Sequence, residues 1–283
     1  MLSVLKKYLR KSNFLIVFIF FKRLKIVVLK LWKSILLNFF WFIKSKEHTN
    51  FSFEINTRSL WSLKYYLKNN FNYSFSEIND VVEYALNSKI KKSDIFNLPF
   101  SQKNDLDLGN HWDYRLLPFI LFTLTDIKYL VELGVSHGRL GYLIHSNKNL
   151  LTSFKKYIGV ENNERKAGLI DNYTEDTQFN LFRGTVEDYF QTENLKTIEE
   201  SILVCSTHEK KSEEFIFKFL TENKLSPLII ISDNSKPNSD YFNFVINNES
   251  YTTDILTFTD KNNFFSPLFI GVSYQKFLTE TTS

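Results

Sequence analysis

The chain is poor in the residues that would staple or interrupt it: of 283 residues, one is cysteine, five are proline and eight are glycine. The single Cys205 excludes an intrachain disulfide and a cysteine-built zinc cluster. A reduced, cytoplasmic setting is therefore expected. So little Pro and Gly, beside 43% hydrophobic residues, excludes a disordered chain and leaves apolar mass for one α/β domain plus an extension. Acidic side chains are missing from one region altogether. Residues 1–46 hold eleven Lys and Arg and no Asp or Glu, so the remainder has 35 − 11 = 24 basic against 31 acidic residues, a net of −7. An acidic body lacks the basic surface that phosphate contacts need, which argues against a nucleic-acid partner.

Long hydrophobic runs are lacking too. "SNFLIVFIFF" and "SILLNFFWFI" are ten residues each, short of the roughly 20 that a spanning helix requires. "FKRLK" follows the first run, where a signal peptide would carry small residues. At ~100° per residue, Lys22, Arg23, Lys25, Lys30 and Lys33 fall within an arc of about 160°. This basic stripe beside aromatic bulk suits a helix lying on an anionic membrane, so residues 1–50 are expected to associate peripherally with a bilayer through residues 1–46.

Residues 51–111 read as a helical subdomain. Ser74 and Glu77 match a capping box, and Ile78, Val81, Val82, Ala85 and Leu86 recur at helical spacing. Residues 112–283 read as an α/β domain. After a helix in "WDYRLLPFILFTLT", the apolar runs "KYLVELG", "KYIGVE", "FNLFRG", "SILVCS" and "PLIIISD" alternate with polar helical stretches, the rhythm of a parallel sheet. "YFNFVI", "YTTDILTF" and "SPLFIGVSYQKF" predict closing strands that end in an antiparallel hairpin.

The stretch "YLVELGVSHGRLGYLI" allows two chemistries. Gly134-Val-Ser136-His-Gly138 fits the nucleophile elbow of a serine hydrolase. That reading needs strands before Ser136, and then an acid followed by a histidine; here helices precede, and His208 lies ahead of Asp233. Asp171, Asp176 or Asp188 with His208 would be the remaining triad. The other chemistry is a loop over a nucleotide-like cofactor, with Glu132, Gly134, Gly138 and Gly141. It demands an acidic residue about 20 positions on, closing the second strand, to accept bonds from ribose hydroxyls. "YIGVE" provides Glu161, and Glu187 and Asp188 follow the third strand, where a side chain could meet an adenine edge.

These residues together resemble the class I S-adenosylmethionine-dependent methyltransferases over roughly residues 112–275. Glu132, Gly134, Gly138, Glu161 and "GTVEDY" carry the resemblance, with Ser136 where many members have glycine. It implies a Rossmann-like sheet with an antiparallel C-terminal hairpin, and S-adenosylmethionine held by Glu132, Gly134, Ser136, Gly138, Glu161, Glu187 and Asp188. "VELGVSHG" looks most like the macrocin and cephalosporin-hydroxylase-like sugar O-methyltransferase branch. The resemblance there implies a base after the fourth strand, matched by His208, and a Mg²⁺ site completed after the fifth, matched by Asp233 and Asn234, which hold either the metal or the acceptor hydroxyl, so that His208 and Asp233 are the candidate catalytic residues. The first metal position holds Cys205, a poor ligand for a hard cation, so either Glu209 or water substitutes or the metal is lost. His111, Trp112, Tyr114 and Arg115 are candidates for the wall of the site. The implied activity is O-methylation of a sugar, glycan or lipid acceptor at a membrane. A non-catalytic binding protein of the same fold, favoured by Cys205 and Ser136, and the Ser136 hydrolase are the alternatives.

Overall fold

The computed structural model describes residues 28, 32, 36, 51–54, 60–87, 116–136, 138–163, 170, 175–192, 195–207, 209–233, 239–258 and 268–280. Eight strands form one sheet: β1 (Phe51–Glu54), β2 (Tyr129–Leu133), β3 (Lys156–Glu161), β4 (Phe179–Arg183), β5 (Ser201–Cys205), β6 (Ile229–Ser232), β7 (Tyr251–Phe258) and β8 (Leu268–Gln275). Their spatial order is β1-β7-β8-β6-β5-β2-β3-β4. Counted from β2, the run β4-β3-β2-β5-β6 is the 3-2-1-4-5 order of a doubly wound sheet. All of its pairs are parallel, and β8 then runs antiparallel between β6 and β7. This is the Rossmann-like sheet with a C-terminal antiparallel hairpin that the sequence predicts.

Helices cover both faces, which is why β2, β3, β5 and β6 read as nearly unbroken apolar runs. On one face lie α1 (Leu60–Phe71), α2 (Phe75–Asn87), α3 (Leu116–Leu124) and α4 (Arg139–Ser146), sharing a core with Leu130, Tyr157, Ile202 and Ile229. On the other lie α5 (Val186–Thr192), α6 (Leu195–Glu199), α7 (Lys210–Glu222) and α8 (Asp240–Ile246), packed on Val131, Ile158, Leu203 and Ile230. A last turn, α9 (Phe277–Glu280), returns to α1. The capping box is formed: Ser74 N–H donates to Glu77 at 2.8 Å and Glu77 N–H to Ser74 Oγ at 3.2 Å.

Two elements differ from expectation. "YFNFVI" is helix α8, not a strand, because Tyr241, Phe242, Phe244 and Val245 are buried at helical spacing and Ser239 Oγ caps the Phe242 N–H at 3.2 Å. Phe51–Glu54, read as the start of a helical region, is strand β1, paired in parallel with Thr253–Leu256 at the sheet edge. Its sequence, "FSFE", alternates like a strand but is too short to announce one.

Candidate functional site

Strand β2 leads to β3 on one side, while β5, arriving from β4, pairs with its other side. The connections therefore part above β2, and a crevice opens at the carboxyl ends of the strands. A cavity of about 350 Å³ lies there. Gly134 and Ser136 wall it from the loop after β2, Glu161 and Asn162 from the end of β3, Gly184 to Glu187 from the end of β4, and Ser206 and Thr207 from the end of β5. Glu209, Lys211 and Ser212 close it from the start of α7. A larger groove of about 640 Å³ runs between α7 and α8, away from the glycine loop, and has no sequence-predicted site residue in its lining.

The loop after β2 turns through three left-handed residues, Gly134 (φ 86°), Ser136 (φ 56°) and Gly138 (φ 81°). Gly134 permits the closest approach. A Cβ there would stand 2.5 Å from the Ser206 carbonyl oxygen, so the loops after β2 and β5 touch backbone to backbone. The loop's donors are spent internally: Gly134 and Val135 N–H donate to the Val160 carbonyl at 2.9 and 3.4 Å, and Gly138 N–H to that of Val135 at 3.1 Å. Ser136 N–H donates to Glu161 Oε2 at 2.8 Å. These four amides are not turned outward as a pyrophosphate cradle would turn them.

Glu161 is 5% exposed and also accepts from Asn163 N–H at 3.0 Å through Oε1. Each carboxylate oxygen has two acceptor directions, so the two amide bonds fix the group while leaving capacity for a diol. Glu187 lines the same cavity, whereas Asp188 takes part in a helix cap. Its carboxylate accepts from the Thr185 hydroxyl at 2.8 Å, and its N–H donates back to that hydroxyl at 3.1 Å. The Thr-x-x-Asp spacing of a capping box could have shown this from sequence. Glu132 faces the α1–α4 side of the sheet, 1% exposed, where it accepts from the Tyr157 hydroxyl. Gly141 belongs to that arrangement and not to the cavity, since a Cβ there would meet the Tyr157 ring at 3.0 Å.

Asp233 is 7% exposed and outside the cavity lining, with its N–H donating to the Cys205 carbonyl at 3.3 Å. Burial first, then the carboxylates of Glu213 and Asp233, push the Cys205 thiol well above its usual pKa, so it is protonated near neutrality. A hard cation wants six or more oxygens. A protonated thiol cannot substitute, and among the described residues no group of three or more His, Cys, Asp or Glu is arranged to hold a metal ion. The described donors do not fit Mg²⁺. His208, Asn234, His111, Trp112, Tyr114 and Arg115 lie outside the described residues. Sequence reading missed Ser206, Thr207 and Lys211; only their places just after a strand or in the first turn of a helix signal them.

No family model matches the chain, and no curated protein matches its sequence. Solved structures that are similar include the O-methyltransferase TomG from Streptomyces achromogenes in complex with SAM (12% identity, TM-score 0.46, 70% of this chain and 96% of that one). Another is the O-methyltransferase from Bacillus cereus in complex with SAH (12%, 0.42, 76% and 97%). A third is Aeropyrum pernix fibrillarin with natively bound S-adenosyl-L-methionine (11%, 0.37, 56% and 72%).

Proposed function

We propose that the chain is an S-adenosylmethionine-dependent methyltransferase that O-methylates a sugar or lipid-linked glycan at an anionic membrane surface. The observation that carries the cofactor assignment is Glu161, a fixed carboxylate at the cavity beside a loop whose amides are already satisfied. Such a site suits a ribose. It also suits a cation, because Glu161, Glu187 and Glu209 face one Lys211. A dinucleotide would bring a pyrophosphate to carboxylates and spent donors.

When bound, S-adenosylmethionine supplies a sulfonium methyl group for in-line displacement. Glu161 holds the ribose, Glu187 the adenine edge, and the Gly134 turn lets the cofactor approach the backbone. Glu132, buried behind the loop with Tyr157, supports it from below. An acceptor hydroxyl is a weak nucleophile until its proton is removed, the role assigned to His208, and Asp233 orients that hydroxyl.

The membrane assignment rests on the charge segregation in residues 1–46 and on one structural feature. Val28, Trp32 and Leu36 are helical and exposed by 43, 60 and 60%. At ~100° per residue they fall within an arc of about 80°, an apolar stripe for a bilayer to cover.

Calorimetry tests the cofactor. S-adenosylmethionine should bind, and Glu161→Ala should weaken it by about 1.5–3 kcal/mol through lost charged hydrogen bonds. No binding to wild type, or unchanged binding to a folded Glu161→Ala protein, overturns the assignment. A fluorophosphonate adduct on Ser136 would instead favour the hydrolase.

A further inference from the structure

We infer that the amino-terminal edge of the sheet faces the membrane and that the cavity opens away from it, so the acceptor hydroxyl is reached from the aqueous side. The inference rests on the membrane reading above and adds an orientation to it. Its basis is the polarity of β1. That strand follows the basic segment after four residues, 47–50, and the five steps from Lys46 to Phe51 reach at most ~18 Å. It runs parallel to β7 with Phe51 opposite Thr253, so the chain enters at the starting edge of the parallel strands. The cavity is built at the other edge, from residues that follow β2, β3, β4 and β5. Those strands have five or six residues, which separates the two edges by roughly 17–20 Å.

A local charge feature agrees. The Lys128 carbonyl accepts from Lys155 N–H at 2.9 Å and Lys156 N–H at 3.2 Å, placing three lysines side by side at the entry of β2 and β3. Lys128 and Lys155 are exposed. Asp126 lies nearby and accepts from Ser153. The cavity edge presents Glu161, Glu187 and Glu209 beside one Lys211, a net negative rim that an anionic surface repels, although Glu200 and Glu249 also stand at the entry edge, before β5 and β7. A headgroup atom within the bilayer plane is then a poor acceptor. A soluble sugar, or the distal part of an extended lipid-linked glycan, is the substrate class that fits.

Single cysteines test this in the full chain on vesicles of phosphatidylglycerol and phosphatidylcholine carrying a nitroxide headgroup quencher. Cys205 is buried and stays unlabelled. A fluorophore at Lys155→Cys or Glu249→Cys, both at the entry edge, should be strongly quenched, whereas one at Lys210→Cys, at the start of α7, should be little affected. Equal quenching at all three positions, or stronger quenching at Lys210→Cys, overturns the orientation while leaving membrane binding intact. Vesicle flotation of the same labelled proteins separates the two failures: no flotation removes the membrane reading and the orientation with it.

Discussion

At the scale of the residue, the loop after β2 is limited by backbone at one point and by torsion at another. Gly134→Ala places a methyl 2.5 Å from a carbonyl oxygen in a left-handed turn, and neither backbone can yield cheaply. A loss of about 2–5 kcal/mol in unfolding free energy is expected, from overpacking plus the left-handed penalty. Denaturant titration reads it directly. Ser136 also sits at positive φ but carries a side chain, so Ser136→Gly relieves torsion while freeing the unfolded chain. The expected net is a gain of about 0.5–1 kcal/mol, measured in the same titration; a loss would mean that the serine hydroxyl holds the loop. Much of this was legible. The glycine spacing and Glu161 could be placed from sequence because a strand, a tight turn and a helix impose them locally. The burial of Glu132 could not, since its partner Tyr157 is 25 residues away and only the β2–β3 register brings them together.

At the scale of the element, local signals suffice where they stand alone and mislead where tertiary packing decides. The Ser74–Glu77 box is entirely local and was visible. Helix α8 was not, because an aromatic-rich hexapeptide satisfies both periods until Ser239 caps it and the second core accepts four of its side chains. The docking of α1 on β7 depends on a contact between residues 188 positions apart, the Tyr66 hydroxyl donating to buried Asp254 at 2.8 Å. Tyr66→Phe removes one donor from that carboxylate and should cost about 1–3 kcal/mol, seen as a lowered chemical denaturation midpoint with an unchanged slope. Surface elements respond to acid instead. The hydrogen bond from Lys148 holds Asp176 below its ordinary pKa, as the bonds from Ser74 hold Glu77. A folded pKa below the unfolded one gives stability that is present above the unfolded value and lost as pH falls through the folded one. Asp176→Asn should therefore flatten the decline of stability below about pH 4 and leave the alkaline side unchanged; an identical acid slope would show that the pair contributes nothing.

At the scale of the whole molecule, two opposite charges are joined by one short stretch of chain. Residues 1–46 carry eleven basic residues, and the rest of the chain has a net charge of −7. An anionic bilayer attracts the first part and repels the second, so the bound orientation and the bound fraction answer to the same field. Each basic residue near such a surface contributes about 1 kcal/mol. That attraction weakens as the screening length falls from ~10 Å at 0.1 M salt to ~3 Å at 1 M. Burial of the Val28, Trp32 and Leu36 stripe is apolar and does not weaken with salt. Flotation with acidic vesicles should therefore be strong at low salt and fall as salt is added without reaching zero; vesicles lacking acidic lipid should retain only the residual part. A chain beginning at Asn50 should stay with the soluble fraction under all conditions, because its net charge is negative and it lacks the stripe. Complete release by salt would assign the binding to charge alone, and flotation of the shortened chain would move the membrane contact to the folded body.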